Sequence, residues 1–288
     1  MASTDAGNEH PLGLQHLPGC LALSEQAHWN QNAADWQWML GFGRGYGLTL
    51  ADGTLAASTI TLPYGERFAW VSMVLVLPDH RRKGYATRLL RRALADLGRE
   101  GRAAILDATP AGREVYRQEG FVDCWGFRRL ALTKPVGELR SSGSEYRVRP
   151  IEPDDWDRIA RLDRSAFGAD RTQLLRDLAK RLSPAALVCE RVGEFRGFLL
   201  GRDGREANQI GPLVAKDSEA ACVLLTTALG QVPPPIYLDV VERESALIQR
   251  LERAGFAFQR PFTRMVRGAD QAPGDETLVF CPAGAELG

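Results

Sequence analysis

Two arginines and a lysine stand directly before a glycine in the run Pro78-Asp79-His80-Arg81-Arg82-Lys83-Gly84-Tyr85-Ala86. Glycine at 84 permits a tight turn and close approach of a ligand, and Ala86 keeps the start of the following helix uncrowded. The amides of Lys83 to Thr87 can then converge on a pyrophosphate, where Arg81, Arg82 and Lys83 add charge to an end that the helix dipole already makes favourable for anions. An ordinary basic loop between strand and helix has the same composition. The spacing after Gly84 does not fit GxxxxGK followed by Ser or Thr, and no GxGxxG is present, so neither a P-loop nor a dinucleotide fingerprint competes.

The elements that would position this turn are legible around it. Strand-like segments fall at Tyr46 to Leu50, Leu55 to Leu62 and Phe68 to Leu77, separated by the turn-forming pairs Asp52-Gly53 and Tyr64-Gly65. Thr87 to Leu97 carries Leu89, Leu90, Ala93, Leu94 and Leu97 at helical spacing, with Arg88, Arg91, Arg92 and Asp96 on other faces and Gly98 as a stop. Ala103 to Asp107 reads as a short strand, Ala111 to Glu119 as a helix, and Phe121-Val122 and Phe127 to Leu132 as strands that complete the sheet. Ahead of them, the polar start gives way to one helical stretch over Ser24 to Leu40. This order predicts an α/β domain with a mixed sheet.

A stretch from Lys134 to Glu145, rich in glycine and serine, reads as a linker. Beyond it, helices are expected over Asp154 to Ala166 and Thr172 to Lys180. Strands follow at Ala185 to Cys189, Phe195 to Leu200 and Gln209 to Val214, then a helix over Glu219 to Leu229, a strand at Ile236 to Val240 and a helix over Ser245 to Ala254. Residues repeat as well as elements: Ile105-Leu106-Asp107 through Glu119-Gly120-Phe121 matches Tyr237-Leu238-Asp239 through Ala254-Gly255-Phe256. Two similar domains are therefore expected, over 1–133 and 146–288, the second including a strand or tail at its end.

Bulk properties set limits. The 288 residues, 44% of them apolar, suffice for two domains, and Lys+Arg and Asp+Glu both total 36. With no net charge there is no long-range field to favour nucleic acid or an anionic membrane, so a phosphate site must be local. The five cysteines (Cys20, Cys124, Cys189, Cys222, Cys281) form neither a CxxC nor a Cys/His cluster, which argues against a disulfide scaffold or a metal site and for a cytoplasmic location. The opening residues lack a secretory pattern, and no apolar run approaches the ~18 residues needed to span a bilayer.

The stretch Val76-Leu77-Pro78-Asp79-His80-Arg81-Arg82-Lys83-Gly84-Tyr85-Ala86, with Tyr116-Arg117-Gln118-Glu119-Gly120-Phe121 downstream, resembles the GNAT superfamily of N-acetyltransferases. The resemblance covers about residues 25 to 133. It implies two acetyltransferase-like domains with mixed, partly splayed central sheets, and acetyl-CoA as cosubstrate between the strand ending near Leu77 and the strand around Ile105. The pyrophosphate turn of the family carries over to Arg81 through Ala86, with Thr87 opening the helix. A backbone amide on an irregular strand, around Leu75 or Val76, would polarise the thioester carbonyl, with Leu77 closing that strand. Tyr116 resembles the tyrosine that protonates the departing coenzyme A sulfur, and a phenol with an ordinary pKa near ~10 keeps that proton at neutral pH. Thr109 either contacts the cofactor or a water, or caps the helix that follows.

The implied activity is direct transfer of an acetyl group to an amine, with no metal. Transfer to oxygen from the same donor site, or acyl-CoA sensing without catalysis, are the alternatives. His28, Asp35, Glu66 and His80 are candidate bases or plain surface polarity. Trp29, Trp36, Trp38, Tyr46 and Trp70 either shape an acceptor pocket or pack in the core. Cys124 has no histidine partner to support a covalent acyl-enzyme.

The second half, about residues 146 to 268, resembles the smaller acetyltransferase-like domain found behind a catalytic one. Ile210 through Glu219 lacks the arginine and glycine spacing, Asp217 and Glu219 bring negative charge, and Leu251 stands where the first half has Tyr116. Tyr237, Asp239, Arg260 and Arg264 either line an acceptor pocket in the crevice between the domains or stabilise the sheet. No partner beyond an amine acceptor is implied, and oligomerisation is not assigned.

Overall fold

A computed structural model describes residues 7–135, 137 and 145–288, so most of the expected linker lies outside the described residues. The first half supplies β1 (Asn8–Leu12), α1 (Leu17–Gln26), α2 (Ala33–Phe42), β2 (Arg44–Thr49), β3 (Leu55–Tyr64), β4 (Phe68–Val76), α3 (Tyr85–Arg99), β5 (Ala103–Ala108), α4 (Pro110–Gln118) and β6 (Val122–Leu132). The second half supplies β7 (Tyr146–Pro150), α5 (Trp156–Phe167), α6 (Thr172–Arg181), β8 (Leu187–Arg191), β9 (Glu194–Arg202) and β10 (Asn208–Ala215). It continues with α7 (Ser218–Leu229), β11 (Ile236–Val241), α8 (Ser245–Arg253), β12 (Ala257–Arg267) and β13 (Val279–Cys281).

All the strands belong to one sheet, ordered β1-β2-β3-β4-β5-β12-β6-β11-β10-β9-β8-β7, with β13 added to β10. The order places β12 between β5 and β6, and β6 between β12 and β11, so each half lends its late strand to the other. The two units repeated along the sequence are therefore not separate in space. One apolar cluster joins Trp36, Ile60 and Trp70 of the first half to Phe167, Phe198 and Leu287 of the second.

Two buried ion pairs hold the exchange, and the repeat predicts their symmetry. Asp107 on β5 faces Arg264 on β12, paired through both carboxylate oxygens at 2.9 Å. Asp239 on β11, the repeat equivalent of Asp107, faces Arg129 on β6 at 2.8 and 2.7 Å. Each guanidinium also lies over aromatic rings: Arg264 is 4.5 Å from Trp70 and 4.1 Å from Trp125, and Arg129 is 5.0 Å from Phe262. Arg264, Asp239 and Tyr237 thus serve the sheet, Tyr237 through its hydroxyl bond to Glu206.

Several local expectations change. The single helix over Ser24 to Leu40 is two helices, because Asn32 accepts from the amides of Ala34 and Asp35 while Asp35 accepts from the Asn32 amide, a reciprocal cap that starts α2 afresh. The polar start contains β1, an edge strand on β2. Phe121-Val122 and Phe127 to Leu132 are not two strands, since Val122–Leu132 is continuous and partnered on both sides. α3 forms as the periodicity predicts, with Leu89, Leu90, Ala93, Leu94 and Leu97 buried against the sheet.

The central sheet splays as expected. β4 pairs in parallel with β5 only from Phe68 to Trp70 against Ala103 to Ile105, and the two strands part beyond that point. β10 and β11 repeat this, pairing only from Asn208 to Ile210 against Ile236 to Leu238. There β13 occupies the opening, pairing with Leu213 and Val214. A Cβ on Gly211, whose φ of +147° suits glycine, would lie 2.2 Å from the Pro282 carbonyl oxygen, so the close seat of this segment needs a residue without a side chain.

Candidate active site

The opening between β4 and β5 is a cleft of about 830 Å³. Gly84 has φ +82° at the N-terminus of α3, and with no side chain there the helix end faces the cleft without a carboxylate or hydroxyl cap. Arg81, Arg82, Gly84, Tyr85, Ala86 and Thr87 line that end, together with Leu75 and Val76 from β4. Leu77 and Lys83 do not line it; the Lys83 ammonium instead meets His80 Nδ1 at 3.2 Å.

β4 is irregular one to three residues earlier than expected from sequence. Its register against β3 slips between Ser58 and Ile60, opposite Met73 and Val74, and Met73 has φ +50°. The bulge takes these residues out of the regular ladder where they line the opening. The positive φ at Met73 is held by Ser58, whose hydroxyl donates to the Met73 carbonyl at 2.7 Å.

Across the cleft, Pro110 begins α4 and Thr109 caps it, its hydroxyl oxygen accepting from the Gly112 amide at 3.3 Å. Thr109 also lines the cleft, so capping and cleft contact coincide in one residue. About two turns on, Tyr116 packs edge to face on Phe121 with centroids 5.9 Å apart. Its hydroxyl has no hydrogen-bond partner among the described residues, and burial pushes its pKa up to about 12.

Past Tyr116 the cleft continues into a second, tighter space of about 40 Å³ that no residue of α3 lines. Trp29, Val74, Asp107, Thr109, Tyr116 and Arg260 line both. The inner space adds Gln31 from the α1–α2 loop, Ser72 and Met73 from the bulge, Arg129, Phe262, and Ala285 with Glu286 beyond β13. Both halves therefore build it. The second half also fixes the loop: Asn30 accepts from the amides of Glu206 and Ala207 and donates to the Ala207 carbonyl, and Arg205 donates to the Trp29 carbonyl.

Of the aromatic candidates, Trp29 lies at the site. Trp36 and Trp70 are buried with their indole N–H groups bonded to Ser24 and to the Ala285 carbonyl, Trp38 stacks on Phe42, and Tyr46 donates to Asp96. Among the candidate bases, His80 lies at the α3 end of the cleft, while His28 and Glu66 are exposed and line neither space. Asp35 is locked between Arg181 and Arg202, both at 2.7 Å. Cys124 lines a separate groove with Asp123 and Trp125, and burial raises its pKa. The acidic groups of the inner space are both committed, Asp107 to Arg264 and Glu286 to Arg202. Sequence reasoning missed Gln31, Ser72, Phe262 and Glu286; the break between the helices at Trp29-Asn30-Gln31 was the available signal.

The equivalent features of the second half are closed. Asp217 caps α7 through the Ala220 amide and is held by Arg196 and Tyr146, Leu251 is fully buried, and β13 occupies the splay.

Two family models match the chain. One for the Acetyltransferase (GNAT) family covers residues 16–121, and one for an Acetyltransferase (GNAT) domain covers residues 159–281. The chain belongs to the GNAT superfamily and carries two of its domains in tandem. It is 26% identical over 279 residues to a holothin acyltransferase of a Pseudoalteromonas species, spanning 93% of this chain and 92% of that one. An uncharacterised N-acetyltransferase of Bacillus subtilis is 22% identical over 243 residues, 84% and 85% of the two chains. In fold it matches a putative acetyltransferase from Pyrococcus horikoshii with a TM-score of 0.77 at 17% identity, over 100% of this chain and 98% of that one. Acyl- and acetyltransferase activity, with acetyl-CoA as the usual donor, is what this family provides. No helix among the described residues is long and apolar enough to cross a membrane.

Proposed function

We propose that the chain is an acetyl-CoA-dependent N-acetyltransferase acting on a small primary amine by direct transfer. The observation that carries this is the place of Tyr116: a partly buried phenol whose hydroxyl has no partner among the described residues, where a cleft opening on a helix N-terminus meets an inner space. The residues fit the donor. Arg81 and Arg82 with the start of α3 suit its pyrophosphate, the apolar edge of β4 at Leu75 and Val76 suits its pantetheine arm, and the bulge at Met73 and Val74 supplies backbone donors for the thioester oxygen. The neutral amine attacks the thioester carbon from the inner space, the carbon–sulfur bond breaks as Tyr116 gives its proton to the departing sulfur, and the proton shed by the nitrogen, passed through solvent, restores the phenol. No acyl-enzyme is involved. The second half binds no donor and serves to wall the inner space. Incubation with acetyl-CoA and primary amines or matched alcohols, with product masses and fragmentation, tests the proposal; acetylation confined to the alcohols overturns it.

Replacing Ala86 by glutamate separates donor binding from stability. A carboxylate in the first turn suits the helix dipole, so the melting temperature does not fall, but it faces the pyrophosphate. Titration calorimetry is expected to give acetyl-CoA affinity weakened by about tenfold.

The pH dependence follows from what lines the inner space. No uncommitted carboxylate or histidine lies there, so the rate follows deprotonation of the amine itself and rises with pH. Tyr116 works in its protonated form, which persists until pH passes about 12. A profile of kcat/KM is therefore expected to rise to a plateau with no alkaline fall below about pH 10. A descending limb at lower pH would assign the acid to another group.

A further inference from the structure

The inner space carries four charged side chains, and three of them are paired. Asp107 holds Arg264 at 2.9 Å, Arg129 holds Asp239 at 2.7 Å, and Glu286 holds Arg202. Arg260 is the exception. Its guanidinium makes no ion pair or hydrogen bond among the described residues, and its Nε is buried without a partner. Its closest aromatic contact is distant, 5.8 Å from the Phe262 centroid. Burial and the charge of Arg129 lower its pKa, and although Asp239, Tyr237 and Glu206 act in the opposite sense from a distance, none of them bonds to the guanidinium. A second group is also unmet: Gln31 is 3% exposed and its Oε1 has no partner. An unpartnered donor and an unpartnered acceptor thus line one space, which opens into the larger cleft.

We infer that the acceptor amine carries a carboxylate, that Arg260 binds this carboxylate, and that Gln31 Oε1 accepts a hydrogen bond from an N–H of the same molecule. The inference rests on the transfer reading above and names the class of its substrate. Charge balance favours it over a simple amine. A carboxylate supplies the counter-ion that Arg260 lacks and accepts bidentately from it, whereas an acceptor without an anion leaves the half-buried guanidinium unpaired. Placement favours the acceptor over the donor as the source of the anion. Arg260 itself borders both spaces, but Gln31, Phe262 and Glu286 line only the inner one, which no residue of the α3 turn lines.

The test compares amino acids with their carboxamides. Phenylalanine, 4-aminobutyrate and 4-(aminomethyl)benzoate are each assayed beside the matching amide, with acetyl-CoA and then succinyl-CoA as donor, and rates are normalised to the free-amine fraction. At least one carboxylate is expected to exceed its amide in kcat/KM by about tenfold or more, the usual worth of a charge-assisted pair. In Arg260→Gln that ratio falls to within about threefold through KM, while acetyl-CoA affinity moves by less than about threefold. The melting temperature of Arg260→Gln holds or rises, because a half-buried cation without an ion-pair partner, next to the like charge of Arg129, has been removed; a merely structural arginine would lower it. Equal rates within every pair, or a preference that survives Arg260→Gln, overturn the inference and leave the transfer reading intact. A faster reaction with succinyl-CoA that depends on Arg260 overturns it by assigning the anion to the acyl chain. Bound acetyl-CoA with no transfer to any amine overturns both.

Discussion

Tyr116→Phe is expected to slow acetyl transfer in single turnovers by about 10²- to 10³-fold, with acetyl-CoA affinity unchanged within about threefold. The substitution removes one hydroxyl and keeps the ring on Phe121, and no described residue loses a hydrogen bond. What disappears is the proton for the leaving thiolate, which must then depart as an anion. Burial holds the Tyr116 proton at any working pH, with its pKa pushed up to about 12, so the acid is in its active form throughout. The deficit should then be the same at pH 7 and pH 9. Transfer at the wild-type rate, or a deficit confined to one end of that range, would remove Tyr116 from the chemistry.

Arg264→Leu is expected to destabilise the protein by about 3–5 kcal/mol, read as a shift in urea midpoint. Asp107 would be left ionised or forced to take up a proton in a site with no other counter-ion at bonding distance, and desolvation already opposes its charge. The double substitution Asp107→Leu with Arg264→Leu should recover most of the loss, since an apolar pair of similar volume often matches a buried ion pair. The interlocked strands also call for one unfolding transition, with no separate melting of the halves. A loss below about 1 kcal/mol in Arg264→Leu would mean that packing over Trp70 and Trp125, not charge pairing, fixes β12.

Local signals were read well where local physics decides. α3 declares itself because five apolar residues share one face, and Gly84 because a left-handed turn before a helix favours glycine. The repeat of Asp107 at Asp239 was visible, yet its meaning was not, since each aspartate is answered by an arginine from the other half. β12 was hidden for a related reason. Its Phe258-Gln259-Arg260-Pro261 lacks clean alternation and contains a proline, which normally excludes a central strand. Pro261 is tolerated because there β12 pairs with β6 alone, beyond the end of its pairing with β5. The bulge at Met73 depends on how β3 and β4 align, and the inner space on a loop, a strand and a segment far apart in sequence. Arg260 was named from its neighbours in sequence, but its lack of a partner is a property of the assembled molecule.

The position of β12 between β5 and β6 has a consequence for synthesis. Ala103–Ala108 leaves the ribosome long before Ala257–Arg267 is made, a delay on the order of ten seconds at ordinary elongation rates. Throughout it the nascent chain presents a raw strand edge of the kind that recruits neighbouring polypeptides. A messenger cut short between the two repeats would accordingly yield aggregation-prone material instead of a smaller working enzyme, and chaperone occupancy during translation becomes part of how this molecule reaches its finished state.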